Sequence, residues 1–207
     1  AVREIAKKHG IIFIFDEIVG FRAGPGGAQE HFGVEPDLTC YGKIVGGGFP
    51  VGAFGGRADL MDLFDPSQPQ GFGQSGTYSA NPVTMAAGLA MLRALTPAAY
   101  DHLNNLSQRL KDGLNEMFAR KGIDGVAVTL GSVFSFYFTE VKELTSYRSL
   151  AKNDTEMTHK VFLSLLEQGY YLSFGLGMCA ICLPTEASHI DGLIEAIDKG
   201  IDEAKKD

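Results

Sequence analysis

An acidic pair follows the most apolar segment of the chain. Residues 11–15 (IIFIF) form a continuous apolar run that ends in Asp16 and Glu17. A short apolar run preceded by a helix is typical of a buried parallel strand in an α/β sheet, and ligands collect at the carboxyl ends of such strands. Successive side chains point to opposite faces, so one of the two carboxylates can face a site. A helix cap or a surface salt bridge is the alternative interpretation.

A single lysine lies in a glycine-rich segment. Residues 42–52 (GKIVGGGFPVG) place Lys43 among glycines and apolar residues, with no carboxylate in the eight residues after it. Apolar surroundings destabilise an ammonium ion and favour an amine that acts as a nucleophile. Glycines let the backbone approach a bulky ligand closely. A surface lysine in a flexible loop is the alternative, and the setting of Lys43 favours the nucleophile.

Hydroxyl groups precede a predicted helix. Residues 76–82 (GTYSANP) lead into a helix that opens with Asn81 as N-cap and Pro82 at the first helical position. The free N–H groups and the dipole of a helix N-terminus favour a phosphate. An ordinary capped helix start needs no ligand, and this segment alone favours that simpler interpretation.

Two nucleotide-binding patterns are incomplete. An apolar run ending in two acids resembles the magnesium-binding Walker B strand of nucleotide hydrolases, but the chain contains no G-x-x-x-x-G-K-[ST] loop. Residues 71–76 (GFGQSG) match G-x-G-x-x-G, yet no strand precedes them and no acid follows at the spacing of about 20 residues. A dinucleotide site is therefore discarded, and a nucleotide hydrolase is a distant alternative.

Cysteine and histidine spacing predicts no metal site. Cys179 and Cys182 match C-x-x-C within a predicted strand, where side chains three apart face opposite sides, so we expect them to pack rather than share a metal or a disulfide. The five histidines show no ligand spacing and form no recognisable Ser/His/Asp set; they are at positions 9, 31, 102, 159 and 189.

The elements that position these residues indicate an α/β fold in two parts. Residues 1–95 are predicted to be part of a large α/β domain, and residues 98–207 a smaller α+β domain. The body of the helix at residues 83–95 is apolar almost all round, so we expect it to be buried. Predicted helices cover residues 2–9, 58–64, 98–121, 154–168 and 187–205, with extended segments at 38–41 and 126–138 and a strand pair at 170–183.

Composition excludes several classes of protein. The 207 residues carry 18 basic and 25 acidic side chains, a net charge of −7, whereas proteins that bind the phosphate backbone are usually basic. No apolar run approaches the roughly 20 residues of a membrane span, and no secretory signal is visible. Three cysteines indicate a reducing compartment, so we expect a cytoplasmic protein without nucleic-acid or membrane partners.

Taken together, the segments resemble the C-terminal half of class III, fold-type I aminotransferases, which use pyridoxal 5′-phosphate (PLP). The similarity is closest to the glutamate-1-semialdehyde aminomutases and the β-amino-acid aminotransferases. It spans the whole chain and is densest over residues 10–95. The segments that carry it are residues 14–17 (IFDE), 26–29 (GGAQ), 36–39 (PDLT), 42–48 (GKIVGGG), 50–57 (PVGAFGGR) and 76–88 (GTYSANPVTMAAG).

This resemblance implies the fold and the roles of four residues. The chain would comprise the C-terminal part of the PLP-binding large domain, with a mostly parallel sheet, and the small domain that follows. Lys43 would form the Schiff base with PLP and act as the catalytic residue, and Asp16 would keep the pyridine nitrogen protonated. Thr77, with Gly76 beside it, would reach the PLP phosphate of the neighbouring subunit, which implies a homodimer with a shared active site.

The resemblance leaves the substrate open. The family implies transfer of an amino group from an amino acid or amine to a keto or aldehyde acceptor. Residues 16–22 (DEIVGFR) are one residue shorter than the aminomutase pattern and favour a β-amino-acid aminotransferase, whereas residues 76–82 favour the aminomutase. The alternatives are therefore intramolecular amino transfer by an aminomutase and, in a different class, a truncated, non-catalytic dimerisation fragment.

Overall fold

The computed structural model describes residues 1–206, and their contacts form two units. The first unit is Ala1–Tyr100, and the second begins at Asp101. Each combines helices with a small sheet, so the predicted α/β class is confirmed. Among the described residues, no helix combines the length and apolar character that crossing a bilayer requires.

A three-stranded sheet forms the centre of the first unit. Strand β1 (Ile14–Asp16) pairs in parallel with β2 (Leu38–Gly42), and β2 pairs in antiparallel fashion with β3 (Gly52–Gly56). The parallel orientation of β1 is the one that the sequence predicts. The helices of this unit are α1 (Val2–Lys8), α2 (Gly27–His31), α3 (Ala58–Met61) and α4 (Pro82–Ala94), and 3-10 turns cover Gly20–Ala23, Lys43–Gly46 and Asp62–Phe64.

Local sequence signals define the helix ends in this unit. Gly10 follows α1 with a φ of +63°, a conformation that glycine adopts readily after a helix. At α4, the Asn81 side chain accepts hydrogen bonds from the backbone N–H groups of Val83 and Thr84 at 3.0 and 3.3 Å, and Pro82 is the first helical residue. Both predicted boundaries are confirmed.

The predicted burial of β1 is wrong for this chain. Ile11, Ile12 and Ile14 keep 58%, 49% and 55% of their surfaces exposed. Within residues 1–206, β1 is an edge strand whose partner is β2. A strand becomes buried when neighbours cover its open edge and both of its faces, and an apolar run cannot supply those neighbours by itself.

The predicted burial of α4 is also wrong for this chain. The helix contacts the rest of the unit through a narrow face of small residues, which packs on the turn after β2. Its buried residues are Thr84 and Gly88, because those two lie on that face. Large apolar residues that remain 43% to 56% exposed are Val83, Met85, Leu89 and Leu92.

A buried carboxylate ties α1 to the sheet. The side chain of Asp37, which immediately precedes β2, is 4% exposed. It accepts hydrogen bonds from the guanidinium groups of Arg3 and Arg57 at 2.8 and 2.9 Å, and from the backbone N–H of Phe13 at 2.8 Å. The bond from Phe13, followed by that from Arg57, holds the pKa of Asp37 well below its usual range.

Replacing this carboxylate is expected to destabilise the protein in a pH-dependent way. Because its pKa is depressed on folding, the Asp37 carboxylate stabilises fully above the pKa of an unfolded aspartate, about 3.9, and loses that effect as the pH falls below it. Thermal unfolding of the intact Asp37→Asn protein should therefore show a melting temperature several degrees below wild type at neutral pH, with the difference narrowing toward about pH 3.

Asp59→Asn is the matched control for this experiment. Asp59 also pairs with Arg57, at 2.6 Å, but its side chain is 61% exposed. Exposed ion pairs contribute little to stability because water and salt screen them. Equal losses of melting temperature in Asp37→Asn and Asp59→Asn would contradict the role assigned to the burial of Asp37.

An antiparallel sheet and a set of helices form the second unit. Strand β4 (Val126–Leu130) pairs with β5 (Val133–Tyr137), which pairs with the two-residue β6 (Cys179–Ala180). Its helices are α5 (Pro97–Lys121), which starts in the first unit, α6 (Tyr147–Leu150), α7 (Thr155–Glu167) and α8 (Ala187–Ala204). The predictions of α5, α7, α8 and the strands at 126–138 are confirmed.

Amphipathic helices cover this second sheet. Residues three and four apart on α5, α7 and α8 point to one side, where they meet the apolar face of β5. The most deeply buried apolar side chains are Leu110, Leu114, Phe118, Phe136, Val161, Leu165, Leu176, Ile197 and Ile201.

The strand pair predicted at residues 170–183 is wrong. A 3-10 turn covers Phe174–Leu176, and the described segment contains one strand, β6. Gly175, Leu176 and Met178 have φ values of +76°, +56° and +39°. Left-handed backbone at these positions interrupts the extended conformation, so the alternation of apolar residues does not produce a continuous strand.

Candidate functional site

Asp16 lies at the carboxyl end of β1. Its side chain is exposed, and its Oδ1 accepts a hydrogen bond from the backbone N–H of Ile18 at 2.9 Å. The next residue, Glu17, is fully buried. The two carboxyl groups therefore lie on opposite sides of the chain, as the alternation of a strand predicts, and Asp16 is the one available to a ligand.

Lys43 is the first residue after β2 and opens a 3-10 turn. Its φ is +51°, in the left-handed region that residues other than glycine rarely adopt. Such strain costs about 1–3 kcal/mol, persists where the surroundings enforce it, and is concentrated at functional sites. The side chain is exposed. The apolar surroundings that the sequence predicts for it are therefore not formed by this chain, because the neighbouring glycines carry no side chains to enclose it.

Helix α4 holds the turn that carries Lys43. A Cβ at Gly47 would lie 2.3 Å from the carbonyl oxygen of Ala87, and a Cβ at Gly88 would lie 2.3 Å from the carbonyl oxygen of Val45. A side chain at either glycine would push the turn and the helix apart. The glycines at these positions therefore let the two backbones pack directly, and this packing fixes the turn.

The structure brings Asp16 and Lys43 to the same edge of the sheet. Asp16 is opposite Cys40 in the parallel register of β1 and β2, and β2 ends at Gly42, immediately before Lys43. With about 3.3 Å per residue in a strand, Lys43 begins roughly 7–10 Å beyond the level of Asp16. A primary amine and a carboxylate thus lie beyond the carboxyl ends of adjacent parallel strands, where open α/β sheets bind ligands.

Gly76 and Thr77 lie in an exposed turn before α4. The backbone N–H of Ser79 donates to the carbonyl of Gly76 at 3.0 Å, which closes the turn. The Asn81 side chain already accepts from the first N–H groups of α4, so a phosphate there would compete with Asn81. Among the described residues, no hydrogen bond joins Thr77 to Asp16 or Lys43, and the roles of Gly76 and Thr77 stay predictions.

The remaining sequence motifs do not assemble a site. Cys179 is buried and Cys182 is exposed, and both are free thiols. The predicted packing is therefore confirmed for Cys179 and wrong for Cys182, which lies beyond the end of β6. Burial raises the pKa of the Cys179 thiol. The segment 71–76 is exposed irregular chain without a preceding strand. Residues 1–206 contain no group of three His, Cys, Asp or Glu side chains placed to hold a metal ion.

Sequence reasoning missed the hydrogen bonds that join three side chains near this edge. The Gln29 side chain donates to the Tyr41 hydroxyl at 3.4 Å and accepts from the Thr39 hydroxyl at 3.3 Å. Gln29 belongs to α2, whereas Thr39 and Tyr41 belong to β2, which leads into Lys43. The available signal was the GGAQ segment at residues 26–29, which sequence comparison singled out without indicating a contact.

Comparison with known proteins supports the family resemblance that the sequence motifs indicate. Residues 1–201 match the family model "Aminotransferase class-III". A glutamate-1-semialdehyde 2,1-aminomutase from Akkermansia muciniphila is 44% identical over 174 residues, which are 83% of this chain and 40% of that protein.

Solved structures that resemble this chain include aminotransferases. A β-phenylalanine aminotransferase from Variovorax paradoxus superimposes with a TM-score of 0.90 at 35% identity, over 99% of this chain and 47% of its own. A transaminase with PLP bound superimposes with a TM-score of 0.84 at 31% identity, over 98% of this chain and 46% of its own. The chain thus spans less than half the length of the relatives that it matches.

Proposed function

Because the chain belongs to the class III aminotransferase family, we propose that it is part of a PLP-dependent enzyme that moves an amino group from an amino acid or amine to a keto or aldehyde acceptor. The observation that carries the proposal is the placement of Lys43, in a strained left-handed conformation, at the same sheet edge as Asp16. Strain of this kind persists where function and surrounding structure require it.

The residues present fit PLP by their chemistry. PLP contains an aldehyde, which reacts with a primary amine, and a pyridine nitrogen, which a carboxylate stabilises in its protonated form. Lys43 is the amine and Asp16 is the carboxylate, and both are exposed at the carboxyl ends of their strands. Lys43 would hold the cofactor covalently and Asp16 would hold its ring. When bound, PLP supplies an electron sink for the carbon that carries the substrate amino group.

The two side chains have separable tasks in this proposal. Asp16 keeps a proton on the ring nitrogen, because its negative charge favours the protonated pyridinium. The Nζ atom of Lys43 would act as the base that takes up the proton leaving the substrate Cα and would later give that proton back. The fixed turn around Lys43 aims that amine, since α4 packs against the turn through Gly47 and Gly88.

Visible spectroscopy of the intact protein tests the proposal. We expect a yellow protein whose absorption changes on borohydride reduction, with the reduced PLP adduct mapped by peptide mass spectrometry to Lys43. Intact mass measured on the same sample identifies the full length of the protein that carries the adduct. A protein that holds no PLP when supplied with it would remove the basis of the proposal and favour a non-catalytic dimerisation fragment. An adduct on another lysine would instead remove Lys43 from the role proposed for it.

The second candidate is an aminomutase, which returns the amino group to a neighbouring carbon of the same substrate. It is favoured by the 44% identity to a glutamate-1-semialdehyde 2,1-aminomutase, whereas the identity to a β-phenylalanine aminotransferase is 35%. Incubation with glutamate-1-semialdehyde alone separates the two. Multiple turnovers without an added amino donor would establish the aminomutase, whereas a strict requirement for a donor and an acceptor would establish the aminotransferase.

Thr77 provides a test of the proposed shared active site. In the proposal, a homodimer places the Thr77 hydroxyl of one subunit on the PLP phosphate of the other, which is consistent with its exposed position. Loss of a hydrogen bond to a charged group should raise the dissociation constant of PLP by about tenfold in Thr77→Ala. Ser79→Ala, in the same turn, is the matched control. An unchanged dissociation constant in Thr77→Ala would exclude Thr77 from the site.

A further inference from the structure

Glu17 is a fully buried carboxyl group beside the proposed site. Its Oε1 accepts a hydrogen bond from the backbone N–H of Gln29 at 2.7 Å, and its Oε2 accepts one from the backbone N–H of Ala28 at 3.1 Å. Its own backbone N–H donates to the carbonyl of Cys40 at 2.9 Å and so extends the β1–β2 pairing. Glu17 therefore joins three elements: the end of β1, the start of α2 and the adjacent strand β2.

The chain around Glu17 is shaped to its carboxyl group. A Cβ at Gly20 would lie 2.3 Å from Oε2, and a Cβ at Gly27 would lie 2.6 Å from Oε1. Gly27 also has a φ of +73°, which side-chain-bearing residues rarely adopt. The two glycines leave room for this one side chain, so the turn between β1 and α2 is built around Glu17.

The contacts continue from Glu17 to β2, the strand that ends immediately before Lys43. Glu17 fixes the backbone of Gln29, and the Gln29 side chain reaches the hydroxyls of Thr39 and Tyr41 on β2. Those two hydrogen bonds, at 3.3 and 3.4 Å, are long, whereas the bond from Gln29 to Glu17 is short. Tyr41 is two residues before Lys43, and its ring also meets that of Phe21 edge-on, with centroids 5.4 Å apart.

We propose that Glu17 is a positioning residue that sets Asp16 relative to Lys43. The inference rests on the proposed function, because it assigns Glu17 a role in presenting those two groups to PLP. Glu17 is adjacent to Asp16 in the chain, and the path through Gln29 ends two residues from Lys43. A displacement of about 1 Å between reacting groups can lower a rate by roughly 100-fold. Loss of the Glu17 contacts therefore changes the site without touching either reacting side chain.

Glu17→Gln in the intact protein tests this role. The substitution keeps the shape but replaces one acceptor oxygen with an NH2 group, which leaves one buried N–H of α2 without a partner. We expect the dissociation constant of PLP to rise by about tenfold or more, and the pH midpoint of the visible band to move by about half a unit. Faster deuterium exchange at residues 28 and 29 should accompany both changes.

Glu30→Gln is the matched control. Glu30 is an exposed carboxylate of the same helix, and its Oε2 accepts from the backbone N–H of Gly26 at 2.8 Å. Its PLP affinity and band midpoint should equal those of wild type. If Glu17→Gln matches Glu30→Gln in both measurements while wild type carries PLP on Lys43, the positioning role is wrong and the proposed function stands. If wild type binds no PLP, the proposed function itself fails.

A second variant covers the case in which Glu17→Gln does not fold. Gln29→Leu keeps the backbone N–H that Glu17 accepts and removes the two hydrogen bonds to Thr39 and Tyr41. Because those bonds are long, we expect a smaller shift of the band midpoint in the same direction as for Glu17→Gln. A folded Gln29→Leu protein with wild-type PLP affinity and midpoint would overturn the proposed path from Glu17 to Lys43.

Discussion

Lys43→Ala is expected to remove the borohydride-reducible adduct and to lower turnover by more than about 1,000-fold. The variant has no amine at the end of β2 to bond with the cofactor aldehyde or to move the substrate proton, and each of these tasks makes a large contribution to rate. The backbone strain at this position does not require the lysine side chain, so the fold should persist. Single-turnover kinetics and the visible spectrum of the reconstituted protein are the measurements.

Lys43→Arg is the matched control for the role of the amine. Arginine keeps a positive charge at the same place but stays protonated and does not act as an amine nucleophile. It should therefore be as inactive as alanine, even if it retains PLP non-covalently. Substantial activity in Lys43→Arg would show that charge, and not the amine, is what the site requires at this position.

Asp16→Asn is expected to retain PLP yet to lower kcat by at least about 100-fold. Asparagine has the shape of aspartate, and its side-chain oxygen can still accept the hydrogen bond from the backbone N–H of Ile18. What it lacks is the negative charge that keeps the cofactor ring protonated, and without that proton the ring is a weak electron sink. The loss should therefore fall on kcat and not on the affinity for PLP.

The measurements for this variant are the PLP dissociation constant and kcat, determined on the same preparation. Asp62→Asn replaces another exposed aspartate of the first unit, in the 3-10 turn at Asp62–Phe64, and should leave both constants unchanged. Near-normal turnover in Asp16→Asn would show that another group protonates the ring. A loss of PLP affinity without a loss of kcat would reassign Asp16 to cofactor retention alone.

The chemistry-bearing residues and most element types follow from the sequence alone. The glycine after α1, the N-cap and proline at α4 and the amphipathic period of α5 each depend on residues close together in the chain, so local stereochemistry decides them. The choice of Lys43 and of the Asp16 and Glu17 pair as candidates has the same origin, because a lysine among glycines and an acidic end to an apolar run are patterns of neighbouring residues. The selection of Asp16 within that pair, the cofactor role of Lys43 and the assignment of Gly76 and Thr77 came from family resemblance, and all of them stay predictions.

The tertiary structure decided burial and the exact surroundings of the site. The apolar runs of β1 and α4 predicted burial, but Ile14 and Leu89 are exposed, because burial depends on which other layers pack on a surface. The strand pair predicted at residues 170–183 does not form, because Gly175, Leu176 and Met178 have positive φ values. The hydrophobicity of these residues does not indicate that conformation.

The tertiary structure also decided which groups orient the site. The contact of the Lys43 turn with Gly88 and the hydrogen bonds from α2 to Glu17 join residues that are 11 or more positions apart in the sequence. Residue types determine what chemistry is possible at Asp16 and Lys43. Where those groups lie relative to one another is set by parallel strand register and close packing, and both arise only when separate segments of the chain meet.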